Sequence, residues 1–201
     1  MTSQLFADFY HSFLESPYDP REGLNEEALL GLDGTEKEAA ERLLLENLTA
    51  RDSRCSQGLG LLGSKRASER LKSFLPQATG EILVHFALAL WRIERFPSAV
   101  DHIVRVLKEG HHLDRVQAAV FLRFIDSEES KRVLWSSLED GDPLVRCNAS
   151  DSLLRMHGHE WKSYLGHPIS DKLLSKDTNE IQKAIADLGN LIGDLRSPHG
   201  E

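Results

Sequence analysis

The sequence predicts an all-α protein in which pairs of helices repeat along the chain, and three observations lead to this prediction. Apolar residues recur at steps of three and four, the spacing of one face of a helix. No segment shows sustained alternation of apolar and polar residues, so no sheet is predicted. Glycines at the junctions between predicted helices lie 30 and 31 residues apart, at Gly80, Gly110 and Gly141.

The best-delimited helix is predicted over residues 142–156. Asp142 can cap its start, and Pro143 suits the first helical position, where no backbone donor is needed. Gly158 can adopt the left-handed conformation that ends a helix. The apolar residues between these ends recur at steps of four, four and three, which places them on one face: Val145, Ala149, Leu153 and Met156.

The N-terminal segment is predicted to begin with an amphipathic helix over residues 4–15, because its apolar residues recur at helical spacing. Pro17 and Pro20 then break the helix, since proline lacks the backbone donor that a helix interior needs. The resulting loop is expected to expose Tyr18.

Two capping patterns follow this loop. Asn25 can cap a short helix over residues 26–30. Thr35 and Glu38 have the spacing of a capping box, so a long helix is predicted to start there and to cover residues 36–48.

From this helix onwards the chain is periodic. Leucines keep nearly the same interval as the glycines, at Leu61, Leu90, Leu122 and Leu153 on the second helix of each pair. Small residues precede these leucines, where neighbouring helix backbones are expected to approach closely: Gly58, Ala87, Ala119 and Ala149. The predicted pairs are residues 36–48 with 52–62, 64–75 with 81–93, 97–108 with 113–125, and 128–138 with 142–156.

The chain is predicted to divide into three parts. These are an N-terminal helical cap with an acidic loop (1–34), four helix pairs (35–158) and a C-terminal helical cap (159–201). Caps are expected because a terminal repeat has one face without a neighbour. In the C-terminal cap, Pro168 is expected to open a helix that runs to about residue 176, and a longer helix is expected over residues 179–195.

Two segments resemble HEAT and HEAT-like repeats. They read D-x-R-x-x-x-x-L-x-L-L-G-S-x-x-A at residues 52–67 and D-P-x-V-R-x-x-A-x-x-x-L at 142–153. The resemblance implies a short right-handed α–α superhelix, a solenoid of antiparallel helix pairs whose second helices line a concave surface. It also implies that Arg54, Arg115 and Arg146, which match the arginine of the repeat, form structural salt bridges to an aspartate of the next repeat.

The net charge of −8 is concentrated in the first quarter of the chain. Residues 1–50 hold 11 acidic and 3 basic side chains, whereas the remaining 151 residues hold 21 of each sign. An acidic end on a neutral body disfavours general nucleic-acid binding, which usually needs a basic face. It is compatible with a basic protein partner.

The cellular location of the protein and the redox state of its two cysteines are predicted from signals that the sequence lacks. No apolar run approaches the roughly 20 residues that cross a bilayer, and the first residues do not have the pattern of an export signal. Cys55 and Cys147 lie on different predicted helices, so they are expected to be buried free thiols. The sequence therefore predicts a cytoplasmic protein that does not interact with a membrane.

The sequence does not indicate a site for catalysis or for a bound metal or cofactor. His159 and Glu160 form the one His–Glu pair of the kind that HEAT-like hydroxylases repeat, and no second copy occurs at the repeat interval. Whether His157, His159 and His167 form a weak metal site is left open. No nucleophile or phosphate-loop motif is present. We therefore predict no enzyme, no cofactor and no catalytic or metal-binding residue.

The favoured hypothesis is a non-enzymatic protein-binding module. Small size and an acidic end suit an inhibitor of a basic toxin or enzyme, as compact bacterial HEAT-like immunity proteins are. The HEAT-like alternatives are a nucleic-acid-binding or DNA base-excision protein and a bilin or small-ligand binder. The partner, the oligomeric state and the face that binds are left open. Candidate contacts are Tyr18, Glu22, Glu26, Glu36 and Glu41 at the acidic end, and His85, Trp91, Arg115, Arg123, Asp151 and Arg155 on the second helices.

Overall fold

The computed structural model describes residues 2–15, 24–159 and 166–193 of the chain. These residues form twelve α-helices, joined by short 3-10 and π-helical turns, and contain no β-strand. The all-α prediction is confirmed for this part of the chain. The molecule divides into two compact units, residues 1–102 and 103–201, which we call unit 1 and unit 2.

Unit 1 contains six helices and the start of a seventh. The helices are α1 (Gln4–Tyr10), α2 (Glu26–Leu30), α3 (Gly34–Asn47), α4 (Ser53–Leu62), α5 (Ser68–Phe74), α6 (Gly80–Glu94) and α7 (Ala99–Glu109), which continues into unit 2. The predicted cap of α2 is confirmed, since Asn25 Oδ1 accepts a hydrogen bond of 2.9 Å from the Ala28 amide.

Small residues allow the helices of unit 1 to pack closely against each other in its core. A Cβ atom added to Gly60 on α4 would lie 2.8 Å from the Cα atom of Ala89 on α6. One added to Gly58 would lie 2.8 Å from a methyl carbon of Leu44 on α3. The expectation that small residues allow close packing is confirmed at α4. Phe9 closes the core at the N-terminal end, where it is fully buried on α1.

Unit 2 continues from α7 with five further helices. They are α8 (His112–Phe121), α9 (Glu128–Ser136), α10 (Pro143–Met156), α11 (Pro168–Lys172) and α12 (Thr178–Ile192). A 3-10 turn extends α8 over Leu122–Phe124, and another extends α9 over Ser137–Glu139. The core is formed by apolar residues of several of these helices, all fully buried: Ala119, Leu122, Leu134, Leu153 and Leu188.

Both predicted ends of α10 are confirmed. Asp142 Oδ1 accepts a hydrogen bond of 2.9 Å from the Leu144 amide, and Pro143 occupies the first helical position. After the last turn, Gly158 has a φ of +78°. The amide of His159 then donates to the carbonyl oxygen of Leu154 at 2.9 Å, which satisfies one of the open carbonyls of the helix end.

Three predicted boundaries are wrong. Thr35 does not cap α3, because the amides of Glu36 and Lys37 donate to the Asp33 carbonyl and the helix starts at Gly34. The single helix predicted over 64–75 is a 3-10 turn over Lys65–Ala67 followed by α5. The helix opened by Pro168 ends at Lys172 instead of near residue 176. The predicted loop at residues 16–20 lies outside the described residues.

Two further predictions concern membranes and cysteines. Within the described ranges, no helix has both the length and the apolar character needed to cross a membrane. Cys55 and Cys147 are free thiols, and Cys55 is buried as predicted, whereas Cys147 is only half-buried. Burial raises the pKa of Cys55 to about 12 and that of Cys147 to about 11. The predicted division into four helix pairs with two caps stays a prediction. A split into two compact units does not show whether the helix pairs are copies of one repeat.

Candidate protein-binding surfaces

Glu36, one of the predicted contacts, makes internal hydrogen bonds in unit 1. Its carboxylate accepts from the amide of Ser3 at 2.7 Å and from the Ser3 hydroxyl. Ser3 is also the cap of α1, where its Oγ accepts from the Phe6 amide at 3.1 Å. These hydrogen bonds from Ser3 lower the pKa of the Glu36 carboxyl. Glu36 therefore connects the start of α1 to α3.

Glu41 makes a similar connection further along α3. It accepts a hydrogen bond of 2.5 Å from the hydroxyl of Ser64, which precedes α5, and lies 3.6 Å from the Arg66 guanidinium. Its side chain is only 22 % exposed. Both Glu36 and Glu41 are therefore hydrogen-bonded within unit 1, so part of the hydrogen-bonding capacity of each carboxylate is already used.

Other acidic residues of α2 and α3 do face solvent. Glu27, Asp33, Glu38 and Glu46 are all exposed, and none of them forms an ion pair with a residue that the structure describes. We call these four residues the acidic set. Lys37 and Arg42 are also exposed on α3, so the acidic set is diluted but keeps an excess of negative charge. None of the four was among the predicted contacts.

A polar cluster connects α2, α4 and α6 inside unit 1. Glu26 on α2 accepts a hydrogen bond from the Gln57 side chain on α4. His85 on α6 is 7 % exposed. Burial, and then the positive charge of Arg92, lower the pKa of His85 to about 4, while Glu26 acts in the opposite direction. His85 is therefore a neutral core residue at pH 7, in contrast to its predicted place on a binding surface.

Trp91, at the C-terminal end of α6, is half-buried. The guanidinium carbon of Arg95 lies 5.2 Å from the centre of its ring. Arg95 ends α6 with a φ of 55°, the left-handed conformation that favours glycine. The indole Nε1 of Trp91 is buried and has no hydrogen-bond partner among the described residues.

In unit 2, Arg115 has a structural role. Its Nε donates to the carbonyl oxygen of Leu107 at 2.9 Å, and its Nη2 donates to the carboxylate of Asp140. The predicted salt bridge to a following aspartate is confirmed, although the partner is Asp140 and not the cap residue Asp142. Arg54 pairs instead with Asp52 of its own helix start, at 2.9 Å.

Three predicted contact residues of unit 2 are brought together by α8 and α10. Arg123 follows α8, while Asp151 and Arg155 lie one helical turn apart on α10. Burial, and then the positive charge of Arg155, lower the pKa of the Arg123 guanidinium, and Asp151 opposes this change. The Arg123 guanidinium carbon also lies 4.7 Å from the ring centre of Phe124, which is 42 % exposed.

We call Arg123, Phe124, Asp151 and Arg155 the arginine–phenylalanine cluster. Phe124 was not among the predicted contacts. Its position next to Arg123 was a usable signal, because exposed pairs of an aromatic residue and an arginine are common at binding hot spots.

The sequence left open whether His157, His159 and His167 form a metal site, and the described residues bear on this point. No three His, Cys, Asp or Glu side chains in these ranges are placed to hold a metal ion. His157, His159 and His167 thus do not form such a group. His167 caps α11 instead, where its Nδ1 accepts a hydrogen bond of 3.2 Å from the Ile169 amide.

Two predicted contacts, Tyr18 and Glu22, lie outside the described residues. Comparison of the chain with models of known protein families, with curated proteins and with solved structures finds no match.

Proposed function

We propose that this chain is a non-enzymatic protein-binding module whose acidic N-terminal region holds a basic protein. More specifically, we propose an inhibitor of the immunity-protein kind, which neutralises a basic toxin or enzyme in the cytoplasm of a bacterium. The observation that supports this proposal most directly is the exposure of the acidic set in the region that carries the whole net charge of the chain.

Charge is the property that a basic partner would recognise. Residues 1–50 hold 11 acidic and 3 basic side chains. Glu36 and Glu41 are used internally, but the acidic set on α2 and α3 is exposed. Exposed carboxylates attract a basic surface over distances of about 8 Å at physiological salt and speed its association. The region is therefore suited to fast capture of a positively charged protein.

We also propose that the helix pairs are HEAT-like repeats in a short right-handed solenoid. Two features within single units support this. The D-P-x-V-R segment folds as a capped helix, α10, at the predicted position. Small residues lie where second helices meet, with Gly60 against Ala89 in unit 1 and the Ser152 hydroxyl bonded to the Ala119 carbonyl in unit 2.

The binding proposal can be tested by solution NMR on the full chain. The probe is the acetylated and amidated peptide Lys-Leu-Lys-Leu-Lys, and the matched control is Glu-Leu-Glu-Leu-Glu. The basic peptide is expected to shift the amide signals of α2 and α3, with Glu27 and Glu38 among them. Equal shifts of these signals by both peptides, or none by the basic one, would contradict the proposal.

The inhibitor proposal needs a second test, in cells. A basic, growth-inhibiting protein encoded beside this gene should become harmless when this chain is co-expressed with it. Continued growth inhibition, with both proteins present, would contradict the inhibitor role. Retention of the purified chain on immobilised DNA at physiological salt would favour the nucleic-acid alternative, and copurification of a chromophore would favour the bilin alternative.

A further inference from the structure

Helices α1 and α2 of unit 1 meet at Gly31, the residue that directly follows α2. A Cβ atom added to Gly31 would lie 3.0 Å from the Cδ1 methyl carbon of Leu5 on α1. Because residue 31 has no side chain, the Leu5 methyl group can take this place. Leu5 therefore lies over the backbone at the end of α2.

Two leucines are exposed at this junction. The side chain of Leu5 is 41 % exposed and that of Leu30, the residue before Gly31, is 56 % exposed. We call Leu5, Leu30 and Gly31 the leucine patch. A single exposed leucine is ordinary, whereas a contiguous apolar surface with a charged rim is typical of an interaction site.

The rim of the leucine patch is acidic. Glu27 lies one turn before Leu30 on α2, at the spacing that places the two residues on one face, and its side chain is exposed. Asp33, also exposed, follows Gly31 by two residues. On α1, Asp8 lies one turn after Leu5 and accepts a hydrogen bond of 2.7 Å from the Gln4 side chain. Glu27 and Asp33 both belong to the acidic set.

Basic side chains are scarce in the segments that form the patch. Residues 2–15 and 24–36 contain no lysine or arginine, and the first one after them is Lys37, one turn beyond Asp33. The carboxylates of Glu27 and Asp33 therefore attract a basic segment and repel an acidic one, over about 8 Å at physiological salt. A second copy of this chain is disfavoured, because a two-fold dimer would bring the same carboxylates together.

A purely hydrophilic basic segment would leave the two leucines in water. We propose that the basic partner docks on the leucine patch with a segment in which an apolar side chain lies between basic ones. The apolar side chain contacts Leu5 and Leu30, and the basic side chains face Glu27 and Asp33. This inference rests on the proposed function, since it states how the basic protein is held. The charges speed association, whereas the buried apolar contact slows dissociation.

The test compares two acetylated and amidated peptides of equal length and charge, Lys-Leu-Lys-Leu-Lys and Lys-Ser-Lys-Ser-Lys, by calorimetry with the full chain. The leucine peptide should bind about fivefold more tightly than the serine peptide. In NMR spectra, the methyl signals of Leu5 and Leu30 should shift with the leucine peptide and stay in place with the serine peptide.

A variant of the patch and a matched control sharpen this test. Leu30→Gln should weaken the binding of the leucine peptide about threefold and leave that of the serine peptide unchanged. Leu113→Gln, which removes a leucine of α8 in unit 2 that is 69 % exposed, should change neither affinity. Because both leucines are exposed, neither substitution should disturb the fold, which circular dichroism checks.

The outcomes separate this inference from the proposed function. Equal binding of the two peptides to the wild type, or an unchanged affinity of Leu30→Gln for the leucine peptide, would overturn the inference and leave the proposed function standing. Failure of both peptides to bind would contradict the proposed function and the inference together. A dimer that Leu30→Gln abolishes in sedimentation, with unchanged affinity for the leucine peptide, would assign the patch to a second copy and would also overturn the proposal.

Discussion

The Nε atom of Arg146 donates a hydrogen bond of 2.9 Å to the carbonyl oxygen of Leu173, inside unit 2. The same guanidinium donates to the carbonyl oxygens of Asp140 at 2.8 Å and Ser175 at 2.9 Å. One side chain on α10 therefore satisfies backbone oxygens before the helix and after α11. The carbonyls of Leu173 and Ser175 therefore face Arg146 in the segment where α11 was predicted to continue.

Replacing Arg146 with methionine should destabilise the protein by about 3 kcal/mol. Arg146 is only 6 % exposed, and its loss would leave several carbonyl groups without donors. Urea denaturation followed by circular dichroism measures the change. Arg132→Met on the surface of α9 is the control and should change the free energy of unfolding by less than about 0.5 kcal/mol. A loss below 1 kcal/mol for Arg146→Met would contradict the structural role given to this residue.

The Gly60→Ala substitution should separate α4 from α6. The added Cβ would lie 2.8 Å from the Cα atom of Ala89, which is backbone and cannot turn away. Overpacking typically costs about 1–3 kcal/mol, whereas alanine improves helix propensity by about 1 kcal/mol, so a net loss of about 1 kcal/mol is expected. Thermal denaturation would detect it.

Gly141→Ala is the matched control, because no atom lies within 4 Å of a Cβ added there. Its unfolding free energy should match that of the wild type. An increase in stability for Gly60→Ala would show that α4 and α6 are not in close contact.

Stability should fall as the pH drops from 6.5 towards 4, because of His85. The folded-state pKa of about 4 lies below the ordinary value of 6.5, so the unfolded chain binds the proton first. The full shift corresponds to about 3 kcal/mol. Arg92 and Glu26 act on His85 through their charges, and Glu81 Oε1 lies 3.5 Å from its Nε2.

The measurement is the free energy of unfolding between pH 7 and pH 5, for the wild type and for His85→Gln. Carboxyl groups with a lowered pKa, such as Asp52 and Glu36, affect stability at lower pH. The wild type should lose stability over this interval, and the variant should lose clearly less. Parallel curves for the two proteins would show that His85 is not the responsible group.

The helices could be predicted because their signals are local. The cap of α2 at Asn25 and that of α10 at Asp142 each involve atoms within three residues along the chain. The close packing at Gly58 also followed from a pattern, since small residues recur at the repeat interval. At the end of α11, where the prediction failed, the Leu173 carbonyl accepts a hydrogen bond from Arg146, 27 positions away, and such a long-range contact leaves no local signal in the sequence.

The partner-binding residues of unit 1 were also hard to predict, because long-range contacts within the chain decide which carboxylates are available. Glu36 and Glu41 are occupied by Ser3 and Ser64, which lie 33 and 23 positions away in sequence. Nothing in the charge pattern indicates such partners. For His85 a signal was available, because Val84 and Phe86 flank it in a continuous apolar stretch that favours burial.

The cluster in unit 2 was partly visible in the sequence. Arg123, Asp151 and Arg155 lie on second helices near one repeat interval, so their proximity follows once those helices are side by side. The stacking of Arg123 on Phe124 did not follow, because a regular helix was predicted to continue to residue 125. The chain instead turns into a 3-10 helix over Leu122–Phe124.

The most direct test of the central claim is the affinity of the full chain for the Lys-Leu-Lys-Leu-Lys peptide, measured by calorimetry at low salt. It compares the wild type with a variant in which Glu27, Asp33, Glu38 and Glu46 are replaced by their amides. Each exposed carboxylate contributes about 0.2–1 kcal/mol, so the account predicts binding about tenfold weaker in the variant. A control with the exposed Glu109, Glu129, Glu139 and Glu180 replaced by glutamine should bind as the wild type does. Equal affinity in all three proteins would contradict the claim.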